Sequence, residues 1–181
     1  MTEVTMWYLC GLGSNIRPEQ NLPRALDLLV QKTGCLRISP VVATRPQGID
    51  SDRGFLNALV VLQSPLAPTE LKAWFNGVEE SLGRDRSDPA SSLKDRTIDI
   101  DILETRANGL PDGRSVQEPY FQALLADRVD PADCRTLRLG ELALGQATAT
   151  IYWDHRTGHE IVVDQRHGLL DDALETAFPG Q

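Results

Sequence analysis

Apolar residues recur along the first hundred positions with two different periods. Trp7 to Cys10 is an unbroken apolar run leading into Gly11-Leu12-Gly13-Ser14-Asn15, so a first strand is expected to break into a turn there. From Asn21 to Thr33, Leu22, Ala25, Leu26, Leu29 and Val30 fall at helical spacing. Asn21 is the candidate cap, Pro23 suits a first turn, and Gly34 suits the left-handed position past a helix end. Leu36 to Arg45 reads as a second strand, interrupted by Pro40 and so placed at an edge or bulge, and Phe55 to Leu62 as a third. Pro68 can open a second helix with Leu71, Trp74, Phe75, Val78 and Leu82 on one face, stopped by Gly83. Arg96-Thr97-Ile98-Asp99-Ile100-Asp101-Ile102-Leu103 then reads as a fourth strand.

Strand, helix, strand, strand, helix, strand is the split βαβ order (βαββαβ) of ferredoxin-like α+β folds, with an antiparallel sheet and helices on one face. After Glu104 the pattern weakens to a helix around Pro119 to Asp127 and a hairpin, Thr148 to Trp153 and Glu160 to Asp164, turning at His155 to His159. No repeat and no linker divides the 181 residues, so one domain is expected, with a C-terminal extension from about residue 130.

Composition narrows the function classes. With 41% hydrophobic and 24% charged residues the chain is globular in type, and no apolar stretch approaches a membrane span. Met1-Thr2-Glu3 opens no basic, apolar targeting segment, so a cytoplasmic protein is expected. Cys10, Cys35 and Cys134 match no zinc or redox spacing and read as free thiols. A net charge of -8 argues against broad binding to nucleic acid or an anionic membrane. An anionic small substrate would need local cations or metal.

The fourth strand carries the chief candidate chemistry. A period of 2 puts Asp99 and Asp101 on one face, roughly 7 Å apart along the chain, and Ile98, Ile100 and Ile102 on the other. Two same-face carboxylates repel unless something positive lies between them, which suits a divalent-cation platform. A half-buried strand with a solvated acidic face is the competing reading.

Arg84, Arg86 and Lys94 lie on the polar connection into this strand, and Arg96 follows directly. Arginines beside paired carboxylates suit phosphate chains, although Asp85, Asp88 and Asp95 also fit a solvated charged loop. Phe55 and Asn57 share a strand face, where a ring and an amide could stack on and hydrogen-bond a heterocycle, or simply pack. Gly11 to Asn15 lacks the third glycine of a dinucleotide fingerprint and the Lys-Ser/Thr of a P-loop, and reads better as a tight turn. His155, His159 and His167 read as surface residues.

Taken together, Leu9-Cys10-Gly11-Leu12-Gly13-Ser14-Asn15, Thr44-Arg45-Pro46-Gln47-Gly48, Phe55-Leu56-Asn57, Gly83-Arg84 and Arg96-Thr97-Ile98-Asp99-Ile100-Asp101 resemble the 6-hydroxymethyl-7,8-dihydropterin pyrophosphokinase family, in the family's order. The resemblance covers roughly the first 60% of the chain, and Arg-x-x-Asp-x-Asp is its most specific piece. It implies a single pyrophosphokinase-like domain that transfers diphosphate from ATP to a pterin alcohol and releases AMP in folate biosynthesis. Asp99 and Asp101 would hold two magnesium ions, and Thr44, Gln47, Phe55 and Asn57 would line the pterin pocket. Asn76, Glu79, Arg86, Ile102, Tyr120 and Arg128 would contact ATP, with Arg84 and Arg96 acting on the transferring group. The implied partners are these small molecules, with no nucleic acid or membrane, for a monomer or weak dimer.

Four places depart from the family pattern. Leu93 stands near the family's loop tryptophan, Pro119-Tyr120 replaces Pro-His, Val129-Asp130 follows Arg128 where a phenylalanine is usual, and Leu103-Glu104-Thr105 replaces an apolar, aromatic continuation. A non-catalytic pterin- or nucleotide-binding paralogue on the same scaffold is the alternative. A plain structural or interaction domain, with the two aspartates as surface charges, is the third reading.

Overall fold

The computed structural model describes residues 4–45, 53–85, 87, 95–163, 168–171 and 178. Along the chain run β1 (Met6–Ser14), α1 (Pro18–Thr33), β2 (Cys35–Ile38), β3 (Val42–Thr44), β4 (Phe55–Ser64), α2 (Pro68–Ser81), β5 (Asp99–Arg106) and α3 (Pro119–Leu125). A 3-10 turn (Pro131–Asp133), β6 (Leu137–Leu139), β7 (Leu142–Leu144), β8 (Ala149–Asp154) and β9 (Gly158–Val163) complete it.

The main sheet has the order β5-β1-β4-β2-β8-β9, with β3 also on β4, and every pairing is antiparallel. Its first four strands give the split βαβ arrangement expected from the sequence. The expected C-terminal hairpin is β8 and β9, and it extends the same sheet beyond β2. The small β6–β7 hairpin was not expected, because two three-residue strands give too short a pattern to read.

Both sheet faces are buried. Tyr8, Cys10, Leu12, Leu56, Ala58, Val60 and Leu62 point toward α1 and α2, while Trp7, Leu9, Leu59 and Val61 pack with Phe121 and Leu124 of α3. Burial on both sides explains why β1 and β4 read as continuous apolar runs rather than alternating ones. The helices on one face are thus α1 and α2, with α3 added on the opposite face.

Three local expectations are corrected. The second strand is divided at Pro40 into β2 and β3, both paired to β4. Helix α1 starts a turn earlier than the apolar period indicates, with Pro18 in its first turn after a left-handed Arg17 (φ 41°). Asn21 therefore caps nothing; it is buried inside the helix, donating to the Ile16 carbonyl at 2.6 Å, and Pro23 lies within the helix. Finally, Gly11 and Gly13 form no turn, since β1 runs through them to Ser14. A side chain at Gly11 would come within 2.7 Å of the Phe121 ring, and one at Gly13 within 2.6 Å of Asn57 Oδ1. Close approach, not left-handed backbone, requires both glycines.

No helix among the described residues is long and apolar enough to cross a membrane.

Candidate active site

The register of the three central strands builds the site. Asn57 of β4 pairs with Gly13 of β1, which pairs with Asp99 of β5, and two residues along the strand Leu59, Gly11 and Asp101 form the next row on the same face. Residues paired across neighbouring strands share a face, so Asn57 and the two aspartates stand on opposite flanks of a strand stripped of side chains at Gly11 and Gly13. With strands about 4.8 Å apart, the flanks are separated by roughly 10 Å. Ile98 and Ile100, on the other face, are fully buried under α1 and α2 and anchor the acidic segment. The face assignment read from the period of 2 holds.

An open cleft lies over these rows. On one flank stand Thr44, Phe55 and Asn57, with Asn57 Nδ2 donating to Thr44 Oγ1 at 2.6 Å. On the other stand Asp99, Asp101 and Arg96, and Glu118, Tyr120 and Phe121 close one side. The Tyr120 and Phe121 rings meet edge to face with centroids 4.6 Å apart.

The two carboxylates are held differently. Asp99 accepts from Arg84 Nη1 at Oδ1 and from Arg96 Nη1 at Oδ2, both at 2.8 Å. Asp101 accepts from Lys72 Nζ of α2 at 3.2 Å, and Lys72 also donates to the Ile100 carbonyl at 2.7 Å. Burial opposes the charge on Asp99, yet a hydrogen bond with Asp101 and the charges of Arg96 and Arg84 hold its carboxyl below the usual range. Asp101 moves the other way, raised by partial desolvation and by the charge of Asp99, with Lys72 offsetting only part. The pair thus presents one firmly ionised carboxylate and one that is reluctant to ionise beside it.

Glu79 and Arg84 support the acidic strand from beneath. Glu79 is fully buried; Oε1 accepts from the Ile100 amide at 2.8 Å and Oε2 lies 3.4 Å from Arg84 Nη1. Arg96 is fixed through its backbone: its amide donates to Asn15 Oδ1 at 2.6 Å, and its carbonyl accepts from the Asn15 and Ile16 amides. Asn15 Nδ2 also donates to Asp95 at 2.8 Å.

A metal ion suits this donor set in a particular way. Among the described residues no group of three or more His, Cys, Asp or Glu side chains converges. The protein offers two hard carboxylates facing a cleft, so the remaining ligands of an ion there would be substrate oxygens and water. Magnesium binds in that manner, through one or two carboxylates plus phosphate oxygens.

Residues 9–129 match the family model described as 7,8-dihydro-6-hydroxymethylpterin-pyrophosphokinase. The chain belongs to this family. A 2-amino-4-hydroxy-6-hydroxymethyldihydropteridine pyrophosphokinase of Porphyromonas gingivalis is 38% identical over 95 residues, covering 51% of this chain and 65% of that protein. One from Bacillus subtilis is 32% identical over 127 residues, covering 65% of this chain and 74% of the relative, and one from Pseudomonas aeruginosa is 31% identical over 96 residues, covering 51% and 57%. The match with the Porphyromonas protein thus spans just under two thirds of that relative's length.

Of the residues expected at a pyrophosphokinase site, the structure brings Thr44, Phe55, Asn57, Arg96, Asp99, Asp101 and Tyr120 into one cleft. Arg84 sits behind Asp99 with only 8% of its side chain exposed, and Glu79 lies in the interior. Asn76 is half-buried on α2, and its Oδ1 is buried with no hydrogen-bond partner among the described residues. Ile102 packs on the helix face of the sheet, away from the aspartates. Arg128 lines a second cavity that shares Thr44 and Tyr120 with the first. Gln47, Arg86, Lys94 and Leu93 lie outside the described residues.

The departures from the family pattern have local explanations. Leu103 is the extra residue of a bulge, since Leu9 pairs with Glu104 and Cys10 with Ile102. The Glu104 carboxylate then accepts from the amides of Asp112 and Gly113, at 3.1 and 2.8 Å, and folds the following loop back. Asp130 caps the 3-10 turn by accepting from the Ala132 amide at 2.9 Å. Sequence reasoning missed Lys72. The signal was present, because Lys72, Asn76 and Glu79 recur at i, i+4 and i+7 and so share one face of α2.

Proposed function

We propose that this chain transfers diphosphate from ATP to 6-hydroxymethyl-7,8-dihydropterin, releasing AMP, with magnesium as the metal. The observation that carries the proposal is the row Asn57–Gly13–Asp99, which sets a heterocycle-binding flank across a bare strand from an anionic, arginine-braced one. Phe55 would stack on the pterin, while Asn57 and Thr44, already joined at 2.6 Å, would hydrogen-bond its edge. Asn57 would thereby fix the ring's rotation and aim the hydroxymethyl group over Gly13 toward the carboxylates.

On the opposite flank, Asp99 and Asp101 would hold two magnesium ions, which when bound neutralise charge on the triphosphate and lower the hydroxyl's pKa. Arg96 lines the cleft and would meet phosphate oxygens, with Arg84 behind it and Arg86 and Arg128 assigned to the triphosphate. The chemistry is in-line attack of the pterin hydroxyl on the β-phosphorus: a new O–P bond forms, the bond to the α,β-bridging oxygen breaks, that oxygen leaves with AMP, and the hydroxyl proton passes to solvent. Such transfer relies on positioning and charge neutralisation and needs no covalent nucleophile. Asn76 would receive a donor from the adenine, and Tyr120 would close the nucleotide side; Glu79, buried, would serve that end indirectly by holding Arg84 and the Ile100 amide, and Ile102 by anchoring the strand.

The test is AMP release from ATP, magnesium and hydroxymethyl-dihydropterin, followed beside pterin binding by its intrinsic fluorescence. Turnover that disappears in Asp101→Ala supports the proposal. Tight pterin binding with no AMP release in the wild type would instead establish the non-catalytic paralogue, which the non-aromatic Asp130 favours.

A further inference from the structure

Lys72 stands at the acidic platform with no role in the reaction so far described. Its Nζ, on a side chain 37% exposed, lies 3.2 Å from Asp101 Oδ1, and among the described residues Asp101 is the half of the pair that no arginine holds. Its second bond, 2.7 Å to the Ile100 carbonyl, fixes the ammonium at the rim of the cleft beside the carboxylate rather than out in solvent.

The local charges balance. Among the described residues joined at the platform, Lys72, Arg84 and Arg96 face Glu79, Asp99 and Asp101, three cations to three carboxylates. Divalent ions on the platform and a fully ionised triphosphate largely cancel one another, so the balance survives loading only if each resident cation keeps an anionic partner. Arg84 can stay on buried Glu79. Among the described residues Lys72 bonds no second carboxylate, and an ion at Asp101 must take the oxygen it now holds or repel it. The phosphate oxygens that complete the ion's shell lie within a short swing of a four-carbon side chain.

Resting on the magnesium-platform reading, we propose that Lys72 is an exchangeable cation: it guards Asp101 before loading and moves to a phosphate oxygen when the metal and nucleotide arrive. It therefore opposes metal binding alone and favours nucleotide binding. A lysine that merely braced the strand would do neither.

The experiment measures two affinities in wild type, Lys72→Met and Lys72→Arg. Manganese binding without nucleotide, followed by electron paramagnetic resonance, should tighten about threefold in Lys72→Met, the size of a half-exposed ion pair lost. Binding of α,β-methylene ATP at saturating manganese, followed by calorimetry, should weaken about tenfold in the same variant, as for a lost charged hydrogen bond. Lys72→Arg should stay within about threefold of wild type in both. Opposite-signed changes in Lys72→Met support the proposal. A manganese affinity that is unchanged or weaker, or an unchanged nucleotide affinity, overturns it while leaving the platform intact. Manganese binding that persists in an Asp99→Asn, Asp101→Asn double variant overturns the platform reading itself, and this proposal with it.

Discussion

Arg84 and Asp99 are joined at 2.8 Å by a nitrogen that also lies 3.4 Å from buried Glu79, so one guanidinium ties the cleft face of β5 to the interior of α2. Glu79 completes the link by accepting the Ile100 amide. Glu79→Ala should therefore cost about 3 kcal/mol of stability, because it leaves the buried Ile100 amide without its acceptor and takes one of two carboxylates from a buried arginine that keeps Asp99. Glu79→Gln keeps an acceptor for the amide and should cost clearly less. Urea unfolding of both variants checks the order, and equal losses would mean that the charge of Glu79, not its acceptor, sustains the strand.

The two aspartates should respond oppositely to pH. Asp101 is raised, so the folded state holds its proton more tightly than the unfolded chain, and that contribution is lost as pH rises through the folded value. Asp99 is lowered, so its contribution is present above the unfolded value and is lost as pH falls through the folded one. Without metal, Asp101→Asn should gain melting temperature relative to wild type as pH climbs from below the carboxylate range to neutrality. Asp99→Asn should fall relative to wild type over the same interval. Calorimetric melts across that interval decide it, and parallel curves for the two variants would contradict the split.

Much of this architecture was legible in the sequence where periodicity was strong. The period of 2 in Ile98 to Ile102 placed the aspartates correctly because an apolar face forced the register. The same reasoning failed at Gly11 and Gly13, where glycine was taken as punctuation. Its actual cause is long-range, a Phe121 ring and an Asn57 amide occupying the space of a side chain. The start of α1 was hidden because Pro18 and Glu19 carry no apolar period. Glu79 as a buried brace could not be read either, since a glutamate on an amphipathic helix ordinarily faces water.

Gly13→Ala tests the close approach directly. The backbone there is not left-handed, so alanine costs little locally, but its methyl would lie 2.6 Å from Asn57 Oδ1. The amide must move, which breaks its 2.6 Å bond to Thr44 and misaims the proposed pterin contact. Pterin affinity should fall about tenfold while nucleotide affinity stays within about twofold, measured separately by fluorescence and calorimetry. A matching loss of both would point to a general distortion of β1.

The cysteines should be inert in the folded protein. Cys10 is fully buried and Cys35 nearly so, and burial pushes the Cys35 thiol up to about 12 and Cys10 in the same direction. Cys134 is also buried and raised by burial and by neighbouring Asp133 and Asp130. Thiolate is the species that reacts with iodoacetamide, so at mildly alkaline pH none of the three free thiols should be labelled without denaturant, and all three should be labelled in guanidinium. Intact-mass spectrometry counts the adducts. Because Cys10 lies on β1 and Cys35 on β2, labelling of either before denaturation would report opening of the central sheet. Label confined to Cys134 would instead place the weakest point at the isolated bridge between Cys134 and Val42, beside the second cavity.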